Sequence, residues 1–285
     1  MKTLLLINPK QETKKIVKFL KSVQKKTKLD KVVIGLSGGI DSVTTLYLLK
    51  KAYSKKNIFV VYLPYDIFIF PFLDGQLRQI KDVIKKTKIP ENNFFVVPFK
   101  KPANNIINQM KTLGKKGLDK IICEIKECFT CPNTDYLNKI RVGNMMARLR
   151  MITLFDVAKK INGLVCGTEN RSEKLLGYFT RFGDAASDIE PISHLYKTQI
   201  YQLAKYLRVP KEIINQPPSA GLWDGQTDEG EFGFTYKEAD QVLYLMDDRR
   251  IDIKKVKKMG FPNAEKIIKR FQDNQFKLKT PYKLD

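Results

Sequence analysis

The sequence predicts an α/β fold, a parallel β-sheet flanked by helices. Three observations carry this reading. Apolar runs with strand character recur at Val32–Leu36, Ile58–Leu63 and Phe94–Pro98, and helical stretches separate them. Strand, helix, strand, helix, strand is the rhythm of a sheet whose parallel strands are joined by helical crossovers. The first strand runs directly into a glycine-rich turn that opens a helix, a further mark of such units. Finally, the chain has 285 residues and is 43% hydrophobic, enough for a substantial core.

Taken in order, residues 12–28 carry Ile16, Phe19, Leu20 and Val23 at helical spacing. Lys31–Ser42, KVVIGLSGGIDS, then reads as a buried strand, a polar turn and the start of a helix from Ile40 to about Ala52. Gly38 and Gly39 let a ligand approach the main chain, Ser37 and Ser42 add hydroxyls, and the free N–H groups of the new helix point the same way. That is an anion site. Asp41 does not suit an anion site alone, because its carboxylate repels phosphate unless a divalent cation lies between them. An ordinary strand–turn–helix can also carry a Gly-Gly turn, but Ser-Gly-Gly-x-Asp-Ser directly after an apolar strand points to phosphate plus Mg²⁺.

Pro64 ends the second strand, and the apolar Tyr65–Leu73 that follows fits a strand, a lid or a dimer surface. A helix is expected from about Asp74 to Lys86, then the third strand. Residues 102–131 hold helical pieces broken at Gly114 and Gly117, and a long helix is expected from about Thr134 to Lys160. Leu164–Cys166 is a short buried strand entering Gly167, residues 168–196 are polar with one short helix near Ser172–Gly177, and a helix covers Thr198–Leu207. Residues 215–234 read as a long loop with Pro217, Pro218 and Trp223, the kind of loop that usually carries function. Helical signals return at Lys237–Asp247 and Ala264–Phe276. No repeat or low-complexity linker interrupts the chain, so residues 1–285 are read as one domain.

The formal charge of +22 invites a nucleic-acid reading. The lysines are scattered along the whole chain, however, which suits a solvated surface better than a binding stripe and makes nucleic acid an unfavoured partner. Leu4–Ile7 is too short for a signal peptide, and no apolar run is long enough to span a bilayer. A cytoplasmic protein with reduced cysteines is expected. Cys123, Cys128 and Cys131 are spaced C-x₄-C-x₂-C, with Cys166 downstream. That spacing occurs in one class of iron–sulfur protein; the other reading places Cys123 and Cys166 in the core and the rest in a loop. A single histidine, His194, argues against a Cys/His zinc site or a histidine triad.

The SGGIDS loop resembles the pyrophosphate-binding loop of the ATP pyrophosphatases, which cleave ATP to AMP and PPi and activate a carbonyl oxygen as an adenylate. No Walker A sequence is present, which argues against ordinary γ-phosphate hydrolysis. Gly143–Met151 (GNMMARLRM), Gly167–Glu173 (GTENRSE), Gly177–Pro191 (GYFTRFGDAASDIEP) and Pro218–Tyr236 (PSAGLWDGQTDEGEFGFTY) resemble the ammonia-dependent NAD synthetases, in that family's order and at compatible spacing. The resemblance spans residues 35–236. It implies a Rossmann-like sheet of the adenine nucleotide alpha hydrolase kind, ATP as co-substrate, Mg²⁺, deamido-NAD and ammonia.

By the same resemblance, Gly35, Leu36, Ser37, Gly38, Gly39, Ile40, Asp41 and Ser42 would hold ATP, with Asp41 and Glu173 on Mg²⁺. Thr168, Lys197 and Ser219 would also contact ATP. Arg148, Arg181, Asp188, Phe276 and Lys277 would face deamido-NAD, and Asp184 lies where the family has a carboxylate proposed to handle ammonia. Asp184 and Lys197 are thus the implied catalytic residues. The residue types agree: Arg148, Arg181 and Lys197 suit phosphorylated ligands, and two distant carboxylates suit a metal bridging phosphates.

There are departures. Arg181 stands where lysine is common and Ser219 where threonine is. Ala220-Gly221-Leu222 lacks a loop acid, and Phe276-Lys277 keeps only the lysine of a His-Lys pair. Residues 102–131 look longer than the usual segment. The implied chemistry is redox-neutral, which favours the core-and-loop reading of the cysteines. A glutaminase domain would need a cysteine nucleophile and a couple of hundred further residues, so free ammonia or a separate glutaminase is the implied nitrogen source. The family is homodimeric, and a dimer is expected. A tRNA-modifying ATP pyrophosphatase would suit the +22 charge and the cysteines but leaves the motifs from Gly143 to Tyr236 unexplained. A non-catalytic, basic RNA-binding protein on the same fold would have no need of Asp41 and Glu173.

Overall fold

The structure is a computed structural model that describes residues 5–65, 75–113, 135–219, 221, 225–279 and 281–282. Its centre is a four-stranded, all-parallel sheet: β1 (Val32–Gly35), β2 (Ile58–Tyr62), β3 (Phe94–Val96) and β4 (Leu164–Cys166), in the spatial order β3-β2-β1-β4. In register, Val32 stands beside Ile58 on one side and Leu164 on the other. The strands are apolar at almost every position because both faces are covered. Their side chains alternate between two cores. Val32, Ile34, Ile58 and Val60 point to one face, and Val33, Val61 and Val165 to the other.

The first face is covered by α1 (Pro9–Thr27), α2 (Ile40–Ala52) and α7 (Lys197–Leu207), with α3 (Gly75–Thr87) beside α2. The second is covered by the long α5 (Asp135–Ile161) and α4 (Lys100–Leu113). Gly35 belongs to this packing, since a Cβ there would come within 3.2 Å of Leu154 on α5. A third apolar cluster ties α6 (Arg171–Leu176), α9 (Asp228–Phe232), α10 (Tyr236–Leu243) and α12 (Ala264–Asn274) into a helical cap through Leu176, Phe232, Val242 and Ile267. Short helices α8 (Lys211–Ile214) and α11 (Ile253–Lys257) complete the described chain.

The expected strands and main helices stand within a residue or a few of their predicted limits, and α2 matches at both ends. Residues 215–234 are not loop throughout. Asp228–Phe232 coil into α9, because the Thr227 hydroxyl accepts from the Gly230 N–H as its N-cap and Gly233 ends it at φ 69°. The helix read at Lys237–Asp247 starts at Tyr236 and gives way to a π-turn over Tyr244–Asp248. Residues 66–74 and 114–134 lie outside the described residues, and with them most of Tyr65–Leu73, Cys123, Cys128 and Cys131. Cys166 is free and fully buried in β4, in keeping with the core reading, and burial pushes its thiol far up. Among the described residues, no helix is long and apolar enough to cross a membrane.

Candidate active site

From β1 the chain moves outward to β2 and β3, then crosses back to lay β4 on the other side of β1. The connections after β1 and β4 therefore leave in opposite directions, and the carboxyl ends of these two strands border a crevice. In open parallel sheets, ligands bind at such a switch point. The two loops that meet here are Leu36–Gly39 and Gly167–Asn170.

The first loop is held open by its own chemistry. Gly38 has φ +84°, a conformation that glycine adopts freely. Gln76 on α3 donates to the Ser37 carbonyl at 2.6 Å, and the Ser37 and Ser42 hydroxyls share a hydrogen bond at 3.1 Å. No side chain among the described residues caps α2 at Gly39, which leaves N–H groups of its first turn for an anion. A hollow of about 520 Å³ opens beside Gln76, lined by Gln79, Asp82, Ile213 and Gln216; it holds none of the acids described below.

The second loop is set by Asn170, a residue the motifs contained but the sequence reading did not single out. Its side chain accepts from the Glu173 N–H at 3.0 Å while Glu173 Oε2 accepts from the Asn170 N–H at 3.4 Å, a capping box that starts α6. The amide of the same side chain donates to Asp41 Oδ1 at 2.9 Å. One asparagine thus fixes the acid from α2 against the acid from α6. An Asn-x-x-Glu pattern ahead of Leu175 and Leu176 was the available signal.

Lys197, the first residue of α7, completes the junction. Its Nζ donates to Asp41 Oδ2 at 2.6 Å and to Glu173 Oε1 at 2.9 Å, and its side chain is only 3% exposed. Burial works against the lysine's charge, but Asp41, then Glu173 and Asp228, more than offset it and hold Lys197 above the ordinary lysine range. Burial also pushes Glu173 up, to about 7, with Lys197 opposing and Asp41 adding to the rise. A buried network sets the height of α7. Ser172 accepts from the Lys197 N–H at 2.8 Å and donates to Asp240 Oδ1 at 2.5 Å, while Asp240 Oδ2 accepts from the Thr198 N–H and hydroxyl, each at 2.8 Å. Sequence reasoning missed Ser172 and Asp240, whose partners lie far apart in the chain.

Two carboxylates converge on one ammonium, so one negative charge is left over when both are ionised. Hard oxygen donors around a single point, beside free N–H groups that suit phosphate, fit Mg²⁺ in the manner of metal–nucleotide sites that take one or two protein carboxylates. Among the described residues, no cluster of three or more acids, histidines or cysteines forms a self-sufficient metal cage. Any cation here takes its remaining ligands from elsewhere.

The residues implied for the second substrate line the loop after α6. Arg148 on α5 donates through Nε to the Arg181 carbonyl at 3.2 Å, and the Arg181 guanidinium lies 5.3 Å over the Phe276 ring. Lys277 Nζ donates to the Gly177 and Phe179 carbonyls at 2.6 and 3.3 Å, so the tail does reach this loop. Gly177 is required there, because a Cβ would come within 2.2 Å of Asn274 at the end of α12. Arg150 is structural by contrast: its Nε donates to the Leu63 carbonyl at 3.2 Å and its guanidinium stacks on Phe99 at 4.7 Å.

Asp184 and Ser219 make their bonds locally, while Asp188 reaches back to β4. Asp184 Oδ1 accepts from the Thr180 N–H at 2.8 Å, Asp188 Oδ2 accepts from the Val165 N–H on β4 at 2.8 Å, and Ser219 Oγ accepts from the Gly221 N–H at 3.1 Å. Thr168 directly follows Gly167, where Ser187 leaves no room for a Cβ. Gly221 has φ +61°, which gives glycine a local reason to stand in the loop that lacks the expected acid. Another acid, buried where Asp184 is exposed, went unnoticed in the sequence: Glu169, whose Oε1 has no hydrogen-bond partner among the described residues and whose carboxyl is pushed well up by burial and by Asp184, Glu173 and Glu190.

Comparison with known proteins covers nearly the whole chain. The family model for NAD synthase matches residues 12–281. An NH₃-dependent NAD⁺ synthetase of Fusobacterium nucleatum is 37% identical over 277 residues, which cover 96% of this chain and 95% of that one. Among solved structures, the NMN synthetase of Francisella tularensis is 30% identical with a TM-score of 0.74, and the NH₃-dependent NAD synthetase of Campylobacter jejuni is 28% identical with a TM-score of 0.71. Each match covers 98% of this chain and 100% of the other.

Proposed function

This chain belongs to the NAD synthase family, and from that premise we propose how its own residues carry the reaction. The function is ammonia-dependent NAD synthesis, a C–N ligation in which ATP is consumed and deamido-NAD takes up ammonia. The observation that carries the proposed roles is the junction of Lys197 with Asp41 and Glu173 at the carboxyl ends of β1 and β4.

Ser37–Ser42 and the first turn of α2 cradle the ATP phosphates, with Gly35 and Leu36 in support and Thr168 and Ser219 contacting the nucleotide. Asp41 and Glu173 would hold Mg²⁺, which supplies positive charge to the phosphates when bound. Arg148 and Arg181 bind the phosphates of deamido-NAD and turn its nicotinate carboxylate toward the α-phosphorus of ATP, while Asp188, Phe276 and Lys277 shape the same side. The carboxylate attacks that phosphorus and PPi leaves. Lys197 and the loop N–H groups stabilise the charge that builds on the phosphoryl oxygens. Ammonia then attacks the adenylated carbonyl and AMP leaves, Asp184 accepting the proton that ammonia loses. The chain acts as a single synthetase domain, as a homodimer, with free ammonia or a separate glutaminase as its nitrogen source.

The assay is direct. Purified protein is incubated with ATP, Mg²⁺ and ammonium, and with either deamido-NAD or the corresponding mononucleotide acid. The expected outcome is equimolar NAD and AMP from deamido-NAD, lost on omitting Mg²⁺. Faster turnover of the mononucleotide acid would move the substrate assignment toward the activity named for the Francisella structure.

A further inference from the structure

Lys197 holds the two carboxylates that the reading above gives to Mg²⁺, and that creates a competition. An ammonium on Asp41 Oδ2 and Glu173 Oε1 occupies oxygens a cation must reach, and two positive charges at hydrogen-bond distance repel. Lys197 is 3% exposed, so it cannot swing out to water without losing its buried partners. When the metal enters, the ammonium needs another anion inside the protein.

One stands beside it. Asp228, the first residue of α9, is 2% exposed, and its Oδ1 is buried with no hydrogen-bond partner among the described residues. Its Oδ2 accepts from the Tyr236 hydroxyl at 3.0 Å, and the ring of that tyrosine lies 5.1 Å from Lys197 Nζ. Tyr178 also faces Asp228, but its hydroxyl donates to Glu231 Oε1 at 3.0 Å, and a phenol has one proton to give. An unmet buried carboxylate oxygen is costly, and native proteins keep few without a use. Asp228 is also tied to the nucleotide side, since its N–H donates to the Pro218 carbonyl, next to Ser219. The charge of Lys197 feels Asp228 after Asp41 and Glu173.

We propose that Asp228 is the second seat of the Lys197 ammonium: a positioning residue whose Oδ1 takes the lysine when Mg²⁺ loads onto Asp41 and Glu173. This rests on the reading of those two acids as the metal's ligands. The lysine then stays charged, buried and next to the phosphates, instead of competing with the metal for their counter-ions.

The test is a calorimetric titration of Mg²⁺ into protein saturated with a non-cleavable ATP analogue, alongside thermal unfolding. Asp228→Asn is expected to weaken Mg²⁺ binding about tenfold, the scale of one lost charge-assisted hydrogen bond. In a Lys197→Met background the same change is expected to have little effect, because the competitor is gone. Tyr236→Phe frees Asp228 Oδ2 and is expected to tighten Mg²⁺ binding by about two- to fivefold, which keeps the proposal exposed should Asp228→Asn fail to fold. Unchanged Mg²⁺ affinity in a folded Asp228→Asn protein, an equal loss in the Lys197→Met background, or no tightening in Tyr236→Phe overturns the second seat. If Asp41→Asn and Glu173→Gln both leave Mg²⁺ binding intact, the metal reading itself has failed, and that outcome is told apart from the others by the acids alone.

Discussion

The two sides of the crevice are built by opposite means. On the side given to ATP and metal, Asp41, Glu173 and Lys197 show between 3 and 16% of their side chains to solvent. All three are cross-bonded, and each sits in the first turn of a helix. On the side given to deamido-NAD, Arg148 and Phe276 are exposed, and Arg181 rests on one ring. The difference separates two tasks. Charge that must meet a transition state is most effective when fixed beforehand in a water-poor site. Charge that only has to recognise a ligand can be ordered by the ligand, at some cost in affinity.

The strongest way to break this comparison is to remove the fixed charge. Lys197→Ala is expected to lower kcat by about 10²–10³, the scale of losing one preorganised donor to a developing charge. KM for deamido-NAD should change far less, which steady-state kinetics at saturating ATP will measure. A large rise in KM with kcat preserved would place Lys197 among the recognition groups and erase the contrast.

A second prediction probes the scaffold under the fixed side. Burial pushes Asp240 up from 3.8 to about 6, against the three donors from Ser172 and Thr198 that favour its charge. The folded state therefore holds this proton more tightly than the unfolded chain. The stabilisation is fully present below about pH 4 and is lost as pH rises to about 6, amounting to at most about 3 kcal/mol. The difference in unfolding free energy between the native protein and Asp240→Asn, measured by denaturant titration, is expected to shrink over that window. A difference that stays flat from pH 4 to 7 would mean that Asp240 is ionised throughout.

How far the sequence disclosed each side follows the same division. The SGGIDS loop was legible in its own residues, a glycine turn after a strand with Asp41 in the first turn of a helix, whereas Glu173 and Lys197 came only through the family resemblance. Asn170, Ser172 and Asp240 were not legible, and neither was Asp228; the first three work through contacts spanning 25 to 129 residues that only the fold creates. Asp228 was further hidden in a stretch read as loop, where proline and glycine outweighed the Thr227 cap. The sheet was almost fully legible, since strands covered on both faces must be apolar throughout. On the other side, the Phe276–Lys277 tail departs from the family's His-Lys pair. Yet Lys277 closes onto two backbone carbonyls, a contact that needs only its length and charge and no neighbouring histidine.

The smallest effects should come from the adaptive side, and they sharpen the comparison most. Arg181→Ala removes a guanidinium that rests on Phe276 and that no acid among the described residues pins. It is expected to raise KM for deamido-NAD about tenfold with kcat within about twofold, since a hydrogen bond to a charged group contributes roughly 1.5–3 kcal/mol and part of that is recovered by water at a half-exposed position. Phe276→Ala should act in the same direction but by only about two- to threefold, because the ring orients Arg181 through a cation–π contact of about 0.5–1 kcal/mol at an exposed site. The pair should be non-additive: once Arg181 is gone, the ring has nothing to orient, and Phe276→Ala in that background should change KM little. Steady-state kinetics on the four proteins measures this. Full additivity would mean that Phe276 meets the substrate itself, so that the tail replaces the missing histidine with a stacking surface of its own.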